Sequence, residues 1–121
     1  MPTFSKRSTD RLNTLDLRLK KILVQAIRLY DFAIICGHRG KLEQEEAYFN
    51  KRSQVNWPDS KHNVFPSLAV DLAPYPIDWD NTDEFVFMCG IIEAIAKQQE
   101  VELIFGYRWS FKDYGHIELI P

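Results

Sequence analysis

Four short, mainly apolar runs constrain the fold of this chain most strongly. They are not joined by the regular helix–strand repeat of a parallel sheet. The runs span Phe32–Cys36, Leu68–Leu72, Leu103–Phe105 and Ile117–Ile120. Their lengths fit strands rather than helices, and the continuous apolar character of Phe32–Cys36 indicates a buried strand. Because no βαβ rhythm links them, the sequence predicts an α+β domain with a small, mainly antiparallel sheet.

Helical periodicity accounts for most of the remaining apolar residues. One stripe covers Leu12–Tyr30, and the Asn13–Thr14 pair is a candidate break that would divide this helix into a short and a long piece. A second, more polar helix is expected over roughly Lys41–Ser53, and a third follows Thr82 as its cap. The N-cap candidates of the first helix are Ser8, Thr9 and Asp10. The sequence therefore predicts about three helices.

The size and charge of the chain narrow the classes of protein to which it can belong. Its 121 residues fit one domain, taken as residues 1–121. The formal net charge of −2 gives no case for a nucleic-acid partner, which normally needs a basic face. No apolar run approaches the length of a membrane span, and the first residues lack the apolar stretch of a signal peptide. We therefore expect no membrane association and a protein that stays in the cytosol unless it is released.

The two cysteines, Cys36 and Cys89, stand in apolar surroundings. Their spacing is unlike that of a paired-cysteine metal site, and a reduced cytosol favours two buried free thiols. A disulfide between them stays open as the alternative.

Two histidines and a carboxylate lie in or beside two of the strand segments, as His62, Asp71 and His116. Because side chains alternate along a strand, Asp71 and His116 are expected on the open face, opposite their apolar neighbours. Two histidines and one carboxylate leave the fourth position of a tetrahedral zinc free for water, which is typical of a hydrolytic site. Asp113, shortly before His116, adds a carboxylate that could act as general base.

The surroundings of these residues carry further expectations about geometry. In a regular strand Asp113 and His116 would face opposite sides, so Gly115 is expected to bend the chain and let both converge. His62 lies in a loop, where its ring is expected to swing over the ion. Glu118 shares a face with His116 and could orient it, although an exposed strand carboxylate is an equal alternative.

Taken in order along the chain, these motifs resemble those of the M15 family of zinc peptidases, which includes D-Ala-D-Ala peptidases and phage L-alanyl-D-glutamate endolysins. The likeness covers most of the chain, and its segments are Asp31-Phe32 to Gly37-His38-Arg39 with Gln44, Ser60-Lys61-His62-Asn63, Pro66 to Pro74, Phe105 to Trp109, and Asp113 with His116 to Leu119. The stretch from Ser60 to Pro74 and the downstream Asp78-Trp79 are most similar to the phage branch.

The resemblance implies a hedgehog- and D-Ala-D-Ala-peptidase-like fold and a peptidase that hydrolyses peptidoglycan stem peptides, most specifically at the L-Ala–D-Glu bond. It implies His62, Asp71 and His116 as ligands of Zn²⁺. It also implies Asp113 as the catalytic base and Arg39 as the group that polarises the scissile carbonyl or holds the oxyanion. For such an endolysin we expect a monomer without a separate cell-wall-binding domain, made in the host cytoplasm and admitted to the wall by a holin.

The chain also departs from the commoner family pattern. The interval between His62 and Asp71 is longer, Ser67 stands in place of a glycine, and His38 stands in place of a tyrosine. A longer loop can be absorbed without moving either ligand, so we expect an intact metal site and an altered substrate preference. Two alternatives stay open: a D-Ala-D-Ala carboxypeptidase or dipeptidase, and a non-catalytic zinc-stabilised binding domain. Asp113 favours an enzyme, because a structural zinc site needs no additional carboxylate.

Overall fold

The computed structural model describes residues 2–120, which form four helices and a four-stranded sheet. The helices are α1 (Lys6–Leu12), α2 (Leu17–Ala26), α3 (Lys41–Phe49) and α4 (Thr82–Gln98). The strands are β1 (Phe32–Cys36), β2 (Ala69–Pro74), β3 (Leu103–Phe105) and β4 (His116–Leu119). Two short 3₁₀ turns, Lys61–Asn63 and Gly106–Arg108, lie in the connections. Within residues 2–120, no helix combines the length and the apolar character that crossing a membrane requires.

The sheet has the strand order β1-β2-β4-β3, and each neighbouring pair is antiparallel. The predicted α+β class with a small antiparallel sheet is thereby confirmed. The bounds of β1 and β3 agree with the sequence prediction, whereas β2 continues to Pro74 and β4 already begins at His116. The central strands β2 and β4 are the two that carry Asp71 and His116.

The hydrophobic core lies between one face of the sheet and the helices. Val70 and Leu72 of β2 and Ile117 of β4 are completely buried there. Helix α2 contributes its predicted apolar stripe, which includes Leu19, Ile22, Leu23 and Ala26. Each large aliphatic side chain buried in this way stabilises the fold by about 1.5–3 kcal/mol. Because side chains alternate along β2 and β4, Asp71 and His116 are left on the other face.

The predicted first helix is two helices in the structure, separated at the Asn13–Thr14 break, so residues 2–120 contain one helix more than expected. The expected N-caps were wrong: Ser5 caps α1 and Asp16 caps α2, each by accepting a backbone N–H. Ser8 lies inside α1, where its buried hydroxyl accepts the N–H of Ile34 at 3.0 Å. The Ser8 side chain, which the local sequence pattern predicts as an N-cap, thus binds the backbone of β1 instead.

Two other helix boundaries also differ from the sequence prediction. Asn81, rather than Thr82, caps α4, because its side chain accepts a backbone N–H of the first turn. Helix α3 ends at Phe49 rather than near Ser53, since Lys51 adopts a left-handed φ of 61° that a helix cannot continue. The residues that follow this helix, 51–53, belong to a loop that lines a cleft on the surface.

Candidate active site

Asp71 and His116 face each other across the ladder between β2 and β4. Directly opposed side chains of an antiparallel pair share one face of the sheet, and Nδ1 of His116 lies 3.1 Å from Oδ1 of Asp71. The next pair on this face is Ala69 with Glu118. The predicted placement of Asp71 and His116 on the face opposite the core is therefore confirmed.

The Lys61–Asn63 turn holds His62 in a buried and fixed position. The hydroxyl of Ser60 caps this turn by accepting the backbone N–H of His62 at 3.1 Å. Because a carbonyl can only accept, Nδ1 of the ring donates to the carbonyl of Gly37, at 2.7 Å. Nε2 is then directed at Asp71, 3.3 Å from its Oδ2. The expected swinging ring is wrong, since the side chain is 3% exposed and held by Gly37.

Nε2 of His62 is a buried nitrogen without a hydrogen-bond partner in the described part of the chain. It lies 3.3 Å from Oδ2 of Asp71 but lacks hydrogen-bond geometry, so a bound ion, or a proton held in an ion pair with this carboxylate, has to offset the cost of its burial. It points at the Asp71 carboxylate, whose other oxygen contacts His116, so two imidazoles converge on one carboxylate. Nitrogen and oxygen donors in this combination suit zinc with three protein ligands. The three residues predicted as ligands therefore lie together, and their chemistry fits zinc.

The ring of His116 is held from behind by Glu118. Its Nε2 donates to Oε1 of Glu118 at 2.7 Å, which leaves Nδ1 on the side of Asp71. The Trp109 ring packs against the imidazole, with the ring centroids 5.1 Å apart. Of the two alternatives for Glu118, the structure favours the orienting carboxylate, because its side chain is 13% exposed rather than free in solvent.

Asp113 reaches the cluster through a turn rather than through a strand. The N–H of His116 closes this turn by donating to the Asp113 carbonyl at 3.2 Å. Ligand atoms of Asp71, Asp113 and His116 all lie within 4.8 Å of one another. Neighbouring protein atoms partly shield the exposed Asp113 carboxylate from water, and this desolvation and the negative charge of Asp71 raise its pKa, although His116, His62 and Arg39 oppose this shift.

Gly115 is required by a close backbone contact. A Cβ at this position would stand 2.3 Å from the carbonyl oxygen of Leu72. The backbone N–H of Leu72 in turn donates to the carbonyl of Gly115. Gly106 has the same role beneath the turn, where a Cβ would lie 2.3 Å from the carbonyl oxygen of Asp113. Gly115 was expected to bend the chain. The structure requires a glycine there because of this close contact and not because of a special backbone conformation, since no glycine in residues 2–120 has a positive φ.

Arg39 lies beside the cluster and is held by a buried amide. Its side chain is 16% exposed, and Nη2 lies 3.5 Å from Oδ2 of Asp71. Nη1 donates to Oε1 of Gln44 at 3.0 Å, and the same oxygen accepts from Nδ2 of Asn63. Gln44 is completely buried. The structure therefore joins the predicted Arg39 to Asp71 and, through Gln44, to the turn that carries His62.

Cys36 belongs to the site, although the sequence indicated only a buried thiol. It is half-buried, and its Sγ lies 3.9 Å from Nδ1 of His62 and 3.5 Å from Nη2 of Arg39. Ligand atoms of Cys36, His62 and Asp71 lie within 4.8 Å of one another. Cys36 and Cys89 are both free thiols in the structure, so the alternative of a disulfide between them is not supported. The one sequence signal that placed Cys36 at the site was its position directly before Gly37-His38-Arg39.

Without a metal, protons on the two imidazoles would form an ionic cluster with Asp71. Burial disfavours charge on His62, but its contacts with Asp71 and Cys36 outweigh burial and raise the pKa of His62 to about 10. Burial likewise opposes charge on His116, but Asp71 and Glu118 raise the pKa of His116 to about 9. Burial favours the neutral acid of Asp71, yet the two imidazoles hold the pKa of Asp71 well below its usual range. Protons therefore compete with a metal for these nitrogens.

The metal-free protein is expected to lose stability as the pH rises above about 6.5, the ordinary pKa of histidine. Below this pH the folded and unfolded chains both hold protons on His62 and His116, so the full contribution of the raised pKa values is present. As the pH rises toward about 9 and 10, the unfolded chain releases its protons first and the free energy of unfolding falls. Urea unfolding of the protein, kept metal-free by a chelator, measures the difference in the free energy of unfolding between pH near 6.5 and pH near 8.

The control for this pH dependence is Asp71→Asn, which removes the carboxylate that raises both pKa values and should flatten the response. The measurement stops near pH 8 because burial raises the pKa of Cys89 to about 12 and would add a similar trend at higher pH. A free energy of unfolding that stays constant or rises over this interval would contradict the proposed ionic cluster.

Two neighbouring hollows, together called the groove, share Asp71, Asp113, Arg52 and Phe111 in their walls. The first is a cleft of about 410 Å³, whose wall also includes Arg39, Lys51, Lys61 and Trp109. The second is a hollow of about 360 Å³, whose wall also includes Trp79 and Tyr114. His38 packs edge-on against Phe65 and lines neither space. Asp71 and Asp113 therefore border both hollows.

The similarity of this chain to known proteins extends over its whole length. The family described as phage L-alanyl-D-glutamate peptidase matches residues 2–120. The crystal structure of the Serratia marcescens L-Ala D-Glu endopeptidase ChiX has the same fold, with a TM-score of 0.83 and 24% sequence identity over 97% of this chain and 89% of that chain. No curated protein matches the sequence significantly. Because the family match covers nearly every residue, the chain belongs to the phage L-alanyl-D-glutamate peptidase family.

Proposed function

We propose that this protein is a zinc-dependent peptidase that hydrolyses the L-Ala–D-Glu bond of peptidoglycan stem peptides. The observation that carries the proposal is the unpartnered, buried Nε2 of His62, directed at the carboxylate that also contacts His116. Family membership supports the choice of bond. The additional carboxylate of Asp113 beside the cluster supports catalysis over a purely structural metal site.

Three side chains would hold the metal: His62 through Nε2, His116 through Nδ1, and Asp71 through its carboxylate. Each ring offers that nitrogen because the other one donates a hydrogen bond, to the Gly37 carbonyl in one case and to Glu118 in the other. A zinc ion bound there supplies a Lewis acid that polarises a carbonyl and acidifies water. Three protein ligands leave room for the reacting groups.

Asp113 is the proposed general base. Its side chain is exposed to the cleft, within reach of the space next to Asp71 and His116. Its raised pKa brings its proton affinity closer to that needed near neutral pH. The carboxylate accepts a proton from the attacking water and then passes this proton to the amine that leaves when the amide bond breaks.

Arg39 is the proposed partner of the developing oxyanion. Its guanidinium is fixed by Gln44 and lies against Asp71, so it is already oriented before a substrate binds. A donor held in place needs no reorganisation when negative charge develops on the carbonyl oxygen, and such stabilisation is usually a large contribution to catalysis.

The shape of the groove favours an internal peptide bond over the terminal D-Ala-D-Ala bond. Both the cleft and the hollow border Asp71 and Asp113, so the space next to these residues is not limited to a single hollow that would hold only a chain end. A carboxypeptidase instead has to end its groove around the terminal carboxylate. Lys51 and Arg52 on the cleft wall suit the carboxylates that stem peptides carry after the L-Ala–D-Glu bond.

Mass spectrometry of muropeptides after digestion of purified peptidoglycan tests this function. The expected product is a stem peptide with a new D-Glu N-terminus on intact glycan strands, formed by the zinc-loaded protein and lost after chelation. Release of D-Ala or of D-Ala-D-Ala would identify the carboxypeptidase or dipeptidase alternative instead. New reducing sugar ends would exclude a peptidase.

We further propose that the protein acts as an endolysin, made in the cytoplasm of the bacterial host and reaching the wall when a holin opens the membrane. The phage origin of its family supports this role. Expression in a bacterium should cause lysis when a holin is co-expressed and little lysis without one. Equal lysis in both cultures, followed as turbidity, would contradict the need for a holin.

A further inference from the structure

A second ionic contact lies beside the proposed metal site, in the wall of the same cleft, and joins the two segments that carry its histidines. Nε2 of His116 donates to Oε1 of Glu118 at 2.7 Å. The other carboxylate oxygen of Glu118 lies 2.6 Å from the ammonium group of Lys61, the residue before His62. A continuous chain of polar contacts therefore runs from His116 through Glu118 to Lys61.

This contact is more buried and more constrained than an ordinary surface ion pair. The side chains of Lys61 and Glu118 are 28% and 13% exposed. The ammonium of Lys61 also donates to the carbonyl of Leu119 at 3.1 Å. The backbone carbonyl of Lys61 accepts the N–H of Leu68 at 3.2 Å, just before β2. The turn that carries His62 is thus attached to both central strands.

We propose that Glu118 and Lys61 are positioning residues that set the geometry and affinity of the metal site, an inference that rests on the proposed zinc function. Because Glu118 holds the proton of Nε2, His116 offers Nδ1, on the side of Asp71, as the nitrogen at which a metal ion would replace a proton. A carboxylate behind a ligating histidine fixes the tautomer and the ring orientation and makes the ligand more basic.

Lys61 has a separate part in this arrangement. A carboxylate as buried as Glu118 needs a compensating charge, and the ammonium of Lys61 supplies it. Because Lys61 directly precedes His62, the same contact links the position of one ligand histidine to the orientation of the other. Loss of Lys61 should therefore weaken metal binding even though its side chain does not reach the metal.

Zinc affinity, measured by competition with a chelator, tests the proposal. Glu118→Ala is expected to bind zinc about 10–100-fold more weakly than the wild type. Glu118→Gln should recover part of this loss, because its amide oxygen still accepts the Nε2 proton of His116. Lys61→Met should also bind more weakly. The matched control is Glu93→Gln, which breaks an ion pair of 2.8 Å with Arg108 outside the groove and should keep wild-type affinity.

The absorption spectrum of the Co²⁺-substituted protein provides a readout that general destabilisation would not move. Its ligand-field bands should change in Glu118→Ala, because His116 loses its fixed orientation, and should be unchanged in Glu93→Gln. If Glu118→Ala fails to fold, Glu118→Gln and Lys61→Met provide the same test, with the fold checked by circular dichroism.

Unchanged zinc affinity and an unchanged Co²⁺ spectrum in folded Glu118 and Lys61 variants would overturn the proposal. An equal loss of affinity in Glu93→Gln would overturn it as well, since the effect would then not depend on the contact with His116. Absence of zinc binding by the wild type would instead refute the proposed function, so the two failures are distinguishable.

Discussion

Replacement of Asp113 by Asn is expected to lower the turnover of stem peptides by about 10²–10⁴-fold while the protein stays folded and keeps its zinc. The amide has nearly the size of the carboxylate, and the side chain lies exposed at the cleft, so packing should hardly change. The amide cannot accept a proton from the attacking water. Turnover and zinc content have to be measured on the same preparation.

The matched control is Asp59→Asn, which removes another carboxylate of the same cleft wall and should leave turnover and zinc content nearly unchanged. If Asp113→Asn retained both zinc and near-normal turnover, another residue would be the base. If it lost zinc together with activity, Asp113 would be a ligand and the role of Asp71 would be in question.

Loss of any one proposed ligand is expected to empty the metal site. The purified wild type should contain about one zinc per chain, whereas His62→Ala, Asp71→Ala and His116→Ala should each lose most of it, because three protein ligands are the minimum for such a site. Elemental analysis after gel filtration measures the zinc content, and loss of the metal should abolish hydrolysis.

His38→Ala is the matched control for these variants, since His38 is the remaining histidine and packs against Phe65 outside the groove. It should retain the wild-type zinc content. Full zinc occupancy in the His62 and His116 variants would show that the ligand assignment is wrong. An equal loss in His38→Ala would point to a general effect on the fold.

The strands could be predicted from the sequence because the alternation of their side chains is a local property. The apolar neighbours Val70 and Ile117 placed Asp71 and His116 on the opposite face, and the register between β2 and β4 agrees. The break in the first helix was also visible as a polar interruption. Its caps were not, because a tertiary contact of Ser8 with β1 overrides the local preference.

The fixed ring of His62 could not be predicted, since the carbonyl that holds it comes from Gly37, 25 residues earlier in the chain. Cys36 was missed for a related reason. The register between β1 and β2 shifts after Ile34, and this irregularity brings Cys36 opposite Asp71. Apolar neighbours in the sequence indicate burial, but they carry no information about such a shift.

The direct pairing of Asp71 with His116 makes the site sensitive to how the two central strands align during folding. A slip of one residue would turn Ile117 toward the carboxylate and bury the imidazole of His116 among apolar side chains. Misaligned chains would then lack the ligand set, and only correctly aligned chains would gain the free energy of binding an ion. A metal held at this position would therefore stabilise only the correct alignment of β2 and β4. Newly made molecules that bind the metal would then be those that have folded correctly.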